Sequence, residues 1–227
     1  MIECRAAREP GIKGISSMAT RAMLRQLTQA YGDLSGMEVT IEAVGGVAAA
    51  RRVAEGEPFD VVVLAADAIE RLIADGRLMP DSRVDLARSG VSMAVKAGTA
   101  PPEIGSEAAV RAAVLAAPSI GYSTGPSGVH LTRLFARWGI ADIIAPRIVQ
   151  ASPGVPVATL VARGEVALGF QQSSELLHEP GIAIIGSLPA AIQCMTVFAA
   201  AIGHASTRQA AARALLSFLA SPEADAA

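Results

Sequence analysis

The sequence predicts a two-lobed α/β protein in which each lobe is a sheet flanked by helices and a ligand lies in the cleft. Strand-like runs such as Val61–Ala65 alternate with helical patterns along almost the whole chain, which is typical of parallel sheets covered by helices. At least eight strand-like segments are many for one sheet in 227 residues, so two sheets are expected. Apolar residues make up 52% of the chain but aromatic residues only 4%, which indicates cores of small aliphatic side chains.

The strands follow from hydrophobic patterns of period two or from short apolar runs. They are predicted at 12–15, 38–44, 61–65, 91–95, 119–122, 147–150, 166–170, 182–185 and 194–201. Helical patterns follow most of them, with Ser16-Ser17, Asp67 and Ser106 at positions expected for N-caps and Gly76 and Gly139 as stops. The helices are predicted at 18–31, 47–55, 67–76, 106–116, 129–138, from Pro153-Gly154 onward, and at 207–219.

The order of these elements also predicts how the chain divides. The first lobe is expected to contain residues 11–86 and 203–227, and the second residues 90–192. The chain is expected to cross between the lobes near 87–95 and 193–202.

Charge and composition exclude several classes of function. The net charge of −2 and the scattered basic residues do not predict nucleic-acid binding, and no apolar run is long enough to cross a membrane. His130, His178 and His204 have no ligand at metal-binding spacing, so neither a metal nor another cofactor is expected. Cys4 and Cys194 permit one long-range disulfide, but two free thiols are expected. Because no signal peptide is recognisable, the chain is expected to be soluble and cytoplasmic as written, or periplasmic if a leader was removed.

Four strand-to-helix junctions carry hydroxyls or glycines where helices are expected to start: 14–17, 44–47, 122–128 and 150–155. Unpaired N–H groups and the helix dipole make such starts suitable for anions, and glycines let a ligand approach the backbone. A single Ser or Thr there would be an ordinary cap. The segment YSTGPSG, residues 122–128, holds three Ser or Thr hydroxyls besides two glycines and exceeds what one cap requires, although it lacks the Lys of a nucleotide-binding P-loop.

These segments resemble the periplasmic molybdate-binding proteins, which belong to the type II solute-binding superfamily. The resemblance rests on Ser16-Ser17, on 45–72 (GGVAAARRVAEGEPFDVVVLAADAIERL), on YSTGPSG and on 159–176 (TLVARGEVALGFQQSSEL). It implies a type II periplasmic-binding-protein fold and oxyanion contacts near Ser17, Gly46, Ser127, Val155 and Gln172. Together with the junctions, the expected ligand-binding residues are Ser16, Ser17, Gly45, Gly46, Tyr122, Ser123, Thr124, Ser127, Gly128, Pro153, Val155, Gln171 and Gln172.

The sequence departs from the molybdate binders at three places, one of which is the YSTGPSG loop, which is richer in hydroxyls than is usual for them. Gly45-Gly46 stands where the family often has serines, and Gln171-Gln172 stands where a tyrosine is common. A bare tetrahedral dianion needs only donors, whereas glutamine offers a donor and an acceptor. These departures favour an organic acid over molybdate as the ligand.

Three functions remain open. The first is a binding protein for a small oxyanion or organic polycarboxylate, working with an ABC transporter permease only if exported. The second follows from the resemblance, because some similar proteins are isomerases of unsaturated tricarboxylic acids, such as aconitate isomerase. Proton transfer of that kind needs a base, for which Tyr122, Glu175 and His130 are candidates, while Arg21 or Arg51 could pair with a carboxylate. The third is a cytosolic ligand sensor.

Overall fold

The structure is a computed structural model that describes residues 11–152, 154–177 and 179–225. Its strands in chain order are β1 (Ile12–Ser17), β2 (Val39–Val44), β3 (Val61–Ala65), β4 (Val84–Ser89), β5 (Val91–Lys96), β6 (Ile120–Tyr122), β7 (Ile148–Gln150), β8 (Leu168–Gln172), β9 (Ile182–Ser187) and β10 (Thr196–Ile202). Its α-helices are α1 (Arg21–Ser35), α2 (Gly46–Ala54), α3 (Ala66–Ala74), α4 (Glu107–Ala116), α5 (Pro126–Arg137), α6 (Ala141–Ile144), α7 (Val157–Arg163), α8 (Ser173–Leu176), α9 (Gln209–Leu219) and α10 (Pro222–Asp225).

These strands form two five-stranded sheets, in the orders β2-β1-β3-β10-β4 and β7-β6-β8-β5-β9. In the first sheet β1 is parallel to β2 and β3, and β10 runs antiparallel between β3 and β4. In the second, β6 is parallel to β7 and β8, and β5 runs antiparallel between β8 and β9. The α/β class with two helix-flanked sheets is therefore confirmed.

The first sheet is buried on both faces, as the continuous apolar run of β3 requires. Val61 and Val63 pack on one face in a cluster with Leu24 of α1, whereas Val62 and Leu64 pack on the other face with Ile69 of α3. The second sheet has its main core against α4 and α5 and a smaller one against α7. Burial of small aliphatic side chains from both faces holds each sheet in place.

The chain first passes between the sheets at Gly90, the single residue that separates β4 from β5. It returns between the end of β9 and the start of β10, which lies wholly in the first sheet. The division into lobes at 11–86, 90–192 and 203–227 stays a prediction. Among the described residues, no helix has the length and apolar character needed to cross a bilayer.

Several predicted helix starts differ from the structure. Ser16 and Ser17 end β1 and make no capping hydrogen bond, and α3 begins at Ala66, so Asp67 lies in its first turn rather than at its cap. The helix expected from Val129 begins three residues earlier because Pro126 fits the first helical position. Ser106 does cap α4 by accepting a hydrogen bond from the Ala109 N–H at 3.1 Å.

Two further differences concern the junction at 150–155 and a strand that was not predicted. The helix expected to open at Pro153-Gly154 begins at Val157, and Pro153 lies outside the described residues. β4 was not predicted as a strand because its sequence, VDLARS, mixes charged and apolar residues. Its position at the sheet edge explains this pattern, since Asp85 and Arg88 are exposed there while the other four residues are buried or half-buried.

Candidate functional site

A cleft of about 720 Å³ lies where the carboxyl ends of the parallel strands of both sheets meet. This is the edge at which α/β sheets usually bind ligands. The structure brings most of the predicted site residues together on its walls. Those that line it are Ser17, Gly45, Gly46, Ser123, Thr124, Ser127, Val155, Gln171 and Gln172.

Three of the predicted residues do not line the cleft. Ser16 is fully buried behind it, and the Tyr122 ring packs in the core of the second sheet, with its centroid 6.1 Å from that of the Phe135 ring. Gly128 has a structural role, because a Cβ atom there would lie 1.7 Å from the Ser123 carbonyl oxygen. The remaining prediction, Pro153, falls outside the described residues.

The hydroxyl groups of Ser16 and Ser17 are buried, and neither has a hydrogen-bond partner among the described residues. Buried polar atoms are normally paired, because leaving one unpaired costs about 1–3 kcal/mol. Ser17 lines the cleft, at the point where β1 ends. Its hydroxyl is therefore available to a ligand without giving up a bond within the protein.

The helices α2 and α5 both begin at the cleft, one on each side. The α2 helix begins at Gly46 with Gly45 as its N-cap, and α5 begins at Pro126 with Gly125 as its N-cap. Neither cap residue supplies a side-chain acceptor to the first helical N–H groups. Those N–H groups, with the positive end of each helix dipole, are donors for an anion in the cleft. The buried Ser127 adds a hydroxyl in the first turn of α5.

The two glutamines that end β8 are buried, and both use their amides within the protein. Gln171 Oε1 accepts a hydrogen bond from the Ala158 N–H, in the first turn of α7, at 3.1 Å. The Gln172 amide contacts Thr196 Oγ1 at 2.8 Å. In the orientation in which its oxygen accepts from Thr196, its nitrogen donates to the carbonyls of Ser89 and Gly90 at 3.0 and 3.3 Å. Gln172 thus ties the second sheet to the crossing point at Gly90.

Glu175, in the short helix α8, also lines the cleft and is partly buried. Burial raises the pKa of its carboxyl to about 7, and a hydrogen bond from Gln171 opposes that rise. The sequence offered Glu175 only as one of three candidate bases. Its position after a buried polar pair at a strand end was the signal that could have singled it out.

The other candidate groups are placed differently. His130 lines the cleft, but its Nε2 lies 2.8 Å from the Ile192 carbonyl oxygen. Arg21 and Arg51 are not among the cleft residues, and Arg71 and Arg133 are the arginines that line it. Across the described ranges, no group of His, Cys, Asp and Glu is arranged to hold a metal ion.

Comparison with known proteins identifies relatives in sequence and in fold. A curated relative, the aconitate isomerase of a Pseudomonas species, is 38% identical over 216 residues, covering 92% of this chain and 82% of the relative. The periplasmic molybdate-binding protein of Azotobacter vinelandii superposes with a TM-score of 0.79 at 22% identity, covering 95% of each chain. The tungstate ABC transporter protein of Geobacter sulfurreducens gives a TM-score of 0.73 at 15% identity, covering 96% of this chain and 97% of that one.

The structural likenesses establish the type II periplasmic-binding-protein fold that the sequence resemblance implied. A family model described as bacterial extracellular solute-binding protein matches residues 12–227, which is almost the whole chain. The chain therefore belongs to the bacterial extracellular solute-binding protein family.

Proposed function

We propose that this protein binds an unsaturated polycarboxylate in the cleft and isomerises it by moving a proton, as an aconitate isomerase does. The observation that carries the proposal is the pairing of two separate donor sets, one from each sheet, across one cleft. The first comprises Ser17 and the start of α2, and the second comprises Ser127 and the start of α5. The 38% identity to the Pseudomonas aconitate isomerase supports the same substrate class.

The size of the cleft favours an organic acid. A volume of about 720 Å³ lies within the range of roughly 300–1,000 Å³ that is usual for sites of organic ligands. A bare tetrahedral oxyanion would fill only a small part of that space. A tricarboxylate spans more of it and presents several carboxylates, which suits donors on opposite walls.

The donor groups also suit the chemistry. Removing a proton next to a carboxylate places negative charge on the substrate, and preorganised donors stabilise that charge as it develops. Backbone N–H groups and serine hydroxyls need no cofactor to do this. Under this proposal the ligand-binding residues are Ser17, Gly45, Gly46, Ser123, Thr124, Ser127 and Val155, with Gln171 and Gln172 shaping the wall between them.

A second candidate function is transport, in which the protein binds an oxyanion and delivers it to an ABC transporter permease. The unpaired Ser17 hydroxyl and the two helix starts favour it, since they are donors that a tetrahedral oxyanion would accept. Under this alternative the protein acts outside the cytoplasm, which its membership of an extracellular solute-binding family supports.

Two measurements distinguish these functions. Thermal shift with cis- and trans-aconitate, citrate, molybdate, tungstate and sulfate identifies the ligand class, because a ligand at a hundredfold excess over its Kd stabilises by about 2.7 kcal/mol. Proton NMR of the stabilising acid in deuterated water then reports conversion and deuterium uptake. We expect stabilisation and turnover with aconitate. Stabilisation by molybdate or tungstate but by no carboxylate would overturn the isomerase proposal.

A variant locates the site. Ser127→Leu places a branched side chain at the start of α5, where the native residue is buried against the cleft. We expect it to abolish ligand stabilisation. Ser217→Leu on the exposed side of α9 is the matched control, and it should bind as the wild type does. Unchanged binding in Ser127→Leu would place the ligand elsewhere.

A further inference from the structure

We infer that the Glu175 carboxylate is the catalytic base that removes the proton from the bound polycarboxylate and then returns it at a second carbon. The inference rests on the proposed function and deepens it by naming the residue that carries the proton. It stands on the position of Glu175 in the cleft, on the way its carboxyl is held, and on the placement of the other titratable groups there.

The carboxyl lies on the wall contributed by the second sheet. Glu175 follows β8 directly, in α8, and lines the same cleft as Ser17 and the start of α5. A ligand held by the two donor sets therefore shares the cleft with Glu175. A general base must be within hydrogen-bond reach of the proton it takes, so this placement is the first requirement.

The carboxyl also has a fixed polar neighbour. Gln171 Oε1 accepts from the Ala158 N–H at 3.1 Å, which fixes the Gln171 side chain at the start of α7. The Gln171 amide favours the ionised form of the Glu175 carboxyl, whereas burial favours the protonated form. The carboxyl is thus partly buried in the cleft wall beside a side chain that is itself held by a backbone N–H.

The other titratable groups that line the cleft are less suited to take a proton. Asp67 pairs with Arg71 at 3.2 Å, and both side chains are largely exposed. His130 has one ring nitrogen bound to the Ile192 carbonyl, and Arg133 is a cation. Cys194, just before β10, lines the cleft, and within the described part of the chain no hydrogen bond orients its thiol.

The acidity of the carboxyl agrees with this role. Its pKa is raised to about 7 by burial, so the ionised and protonated forms are both populated near neutral pH. A base with a pKa near the working pH balances availability against basicity. A carboxyl that is neutral in half of the molecules also repels a polyanion less than a fully ionised one would.

The reaction balances without a co-reactant. In an unsaturated tricarboxylate such as aconitate, the methylene C–H lies next to both a carboxylate and the C=C bond. The Glu175 carboxylate takes that proton, and the C–H electron pair forms a new C=C bond to the central carbon. The electron pair of the former C=C bond then forms a C–H bond at the far carbon, using the proton of the Glu175 carboxylic acid. One C–H bond is broken, one is formed, and Glu175 is regenerated.

The test compares Glu175→Gln with the wild type and with Glu165→Gln, which changes an exposed glutamate in the same lobe. Each protein is given cis-aconitate in deuterated water, and proton NMR follows conversion and deuterium uptake. Because Gln preserves the shape and a hydrogen-bond partner for Gln171, Glu175→Gln should keep the aconitate-induced thermal shift. We expect it to lose both conversion and deuterium uptake by a factor of about 10²–10⁴, and Glu165→Gln to match the wild type.

Two further measurements complete the design. The kcat/KM of the wild type should rise with pH through a limb near 7, and Glu175→Asp should keep residual activity with a similar limb. If Glu175→Gln turns over aconitate within threefold of the wild-type rate, the assignment of Glu175 is overturned and the proposed function stays in place. A wild type that binds aconitate but never converts or deuterates it would overturn both.

Discussion

The side-chain amide of Gln172 lies 2.8 Å from Thr196 Oγ1, and this buried contact joins the end of β8 to the start of β10. The two residues belong to different sheets, and the same amide reaches the carbonyls of the 89–90 crossing. Both segments by which the chain passes between the sheets are therefore anchored on one glutamine at the base of the cleft.

Thr196→Val tests this anchor. It keeps the shape of the side chain but leaves one end of the buried Gln172 amide without its partner. We expect a loss of about 1–3 kcal/mol in the free energy of unfolding, measured by urea denaturation. The control is Thr28→Val in α1, where the hydroxyl bonds only to helix carbonyls and a change within about 0.5 kcal/mol is expected. Equal effects of the two changes would contradict an anchoring role.

Ser17→Ala separates ligand binding from stability. Since the Ser17 hydroxyl has no partner among the described residues, its removal should change the free energy of unfolding by less than about 0.5 kcal/mol. Loss of a hydrogen bond to a charged ligand should weaken affinity by about 10- to 100-fold in calorimetric titration.

The matched control for Ser17→Ala is Ser82→Ala, which changes another buried serine. Ser82 Oγ donates to the Met79 carbonyl and accepts from the Ile202 N–H, so its removal should cost about 1–3 kcal/mol and leave ligand affinity unchanged. The prediction for Ser17 fails if its substitution destabilises the protein as strongly as that of Ser82.

Gly46→Ala tests the first donor set. A Cβ atom at Gly46 would lie 3.5 Å from Ser17 Cβ, an ordinary contact, so the helix should tolerate it. The added methyl group would nevertheless lie between the start of α2 and Ser17, where the ligand is proposed to bind. We expect unchanged thermal stability and at least tenfold weaker aconitate binding. Gly105→Ala, at a position with open space around it, should alter neither measurement.

The pH dependence of stability tests the environment of Glu175. Its pKa is raised from the ordinary 4.5 to about 7, so the folded protein binds a proton more tightly than the unfolded chain does. Stability from this group is therefore fully present below pH 4.5 and is lost as the pH rises through 7. Between pH 4.5 and 8, Glu175→Gln should gain up to about 3 kcal/mol relative to the wild type.

Urea denaturation across this range measures that gain. Glu165→Gln is the control, and its difference from the wild type should stay constant with pH. A constant difference for Glu175→Gln as well would show that its carboxyl is not buried in solution.

The fold could be predicted from the sequence because burial left clear patterns. The run VVVLA of β3 is apolar on both faces, and helix-stopping glycines such as Gly139 separate the elements. The edge strand β4 escaped prediction since its solvated side carries Asp85 and Arg88. The predicted helix starts were also shifted. A serine before an apolar pattern indicates a cap, but the pattern does not show whether the hydroxyl makes the capping hydrogen bond, and the Ser17 hydroxyl makes none.

The site was predictable where a strand runs directly into a helix, as at Ser17 and Gly46, because local sequence and topology point to the same edge. It was less predictable where long-range contacts decide the role of a side chain. Gly128 is required by the Ser123 carbonyl, and Gln172 bonds to residues 89, 90 and 196, none of which is near it in sequence. The acidity of Glu175 likewise arises from burial that only the assembled cleft provides.

The place of β10 between β3 and β4 has a consequence for synthesis of the chain. β4 pairs only with β10 within the described sheets, yet 106 residues separate the end of β4 at Ser89 from the start of β10 at Thr196. As the chain leaves the ribosome, every strand of the second sheet emerges before the first sheet can close. The second sheet can thus assemble while β4 still has an open edge, whose unpaired backbone groups offer a template for pairing with another chain.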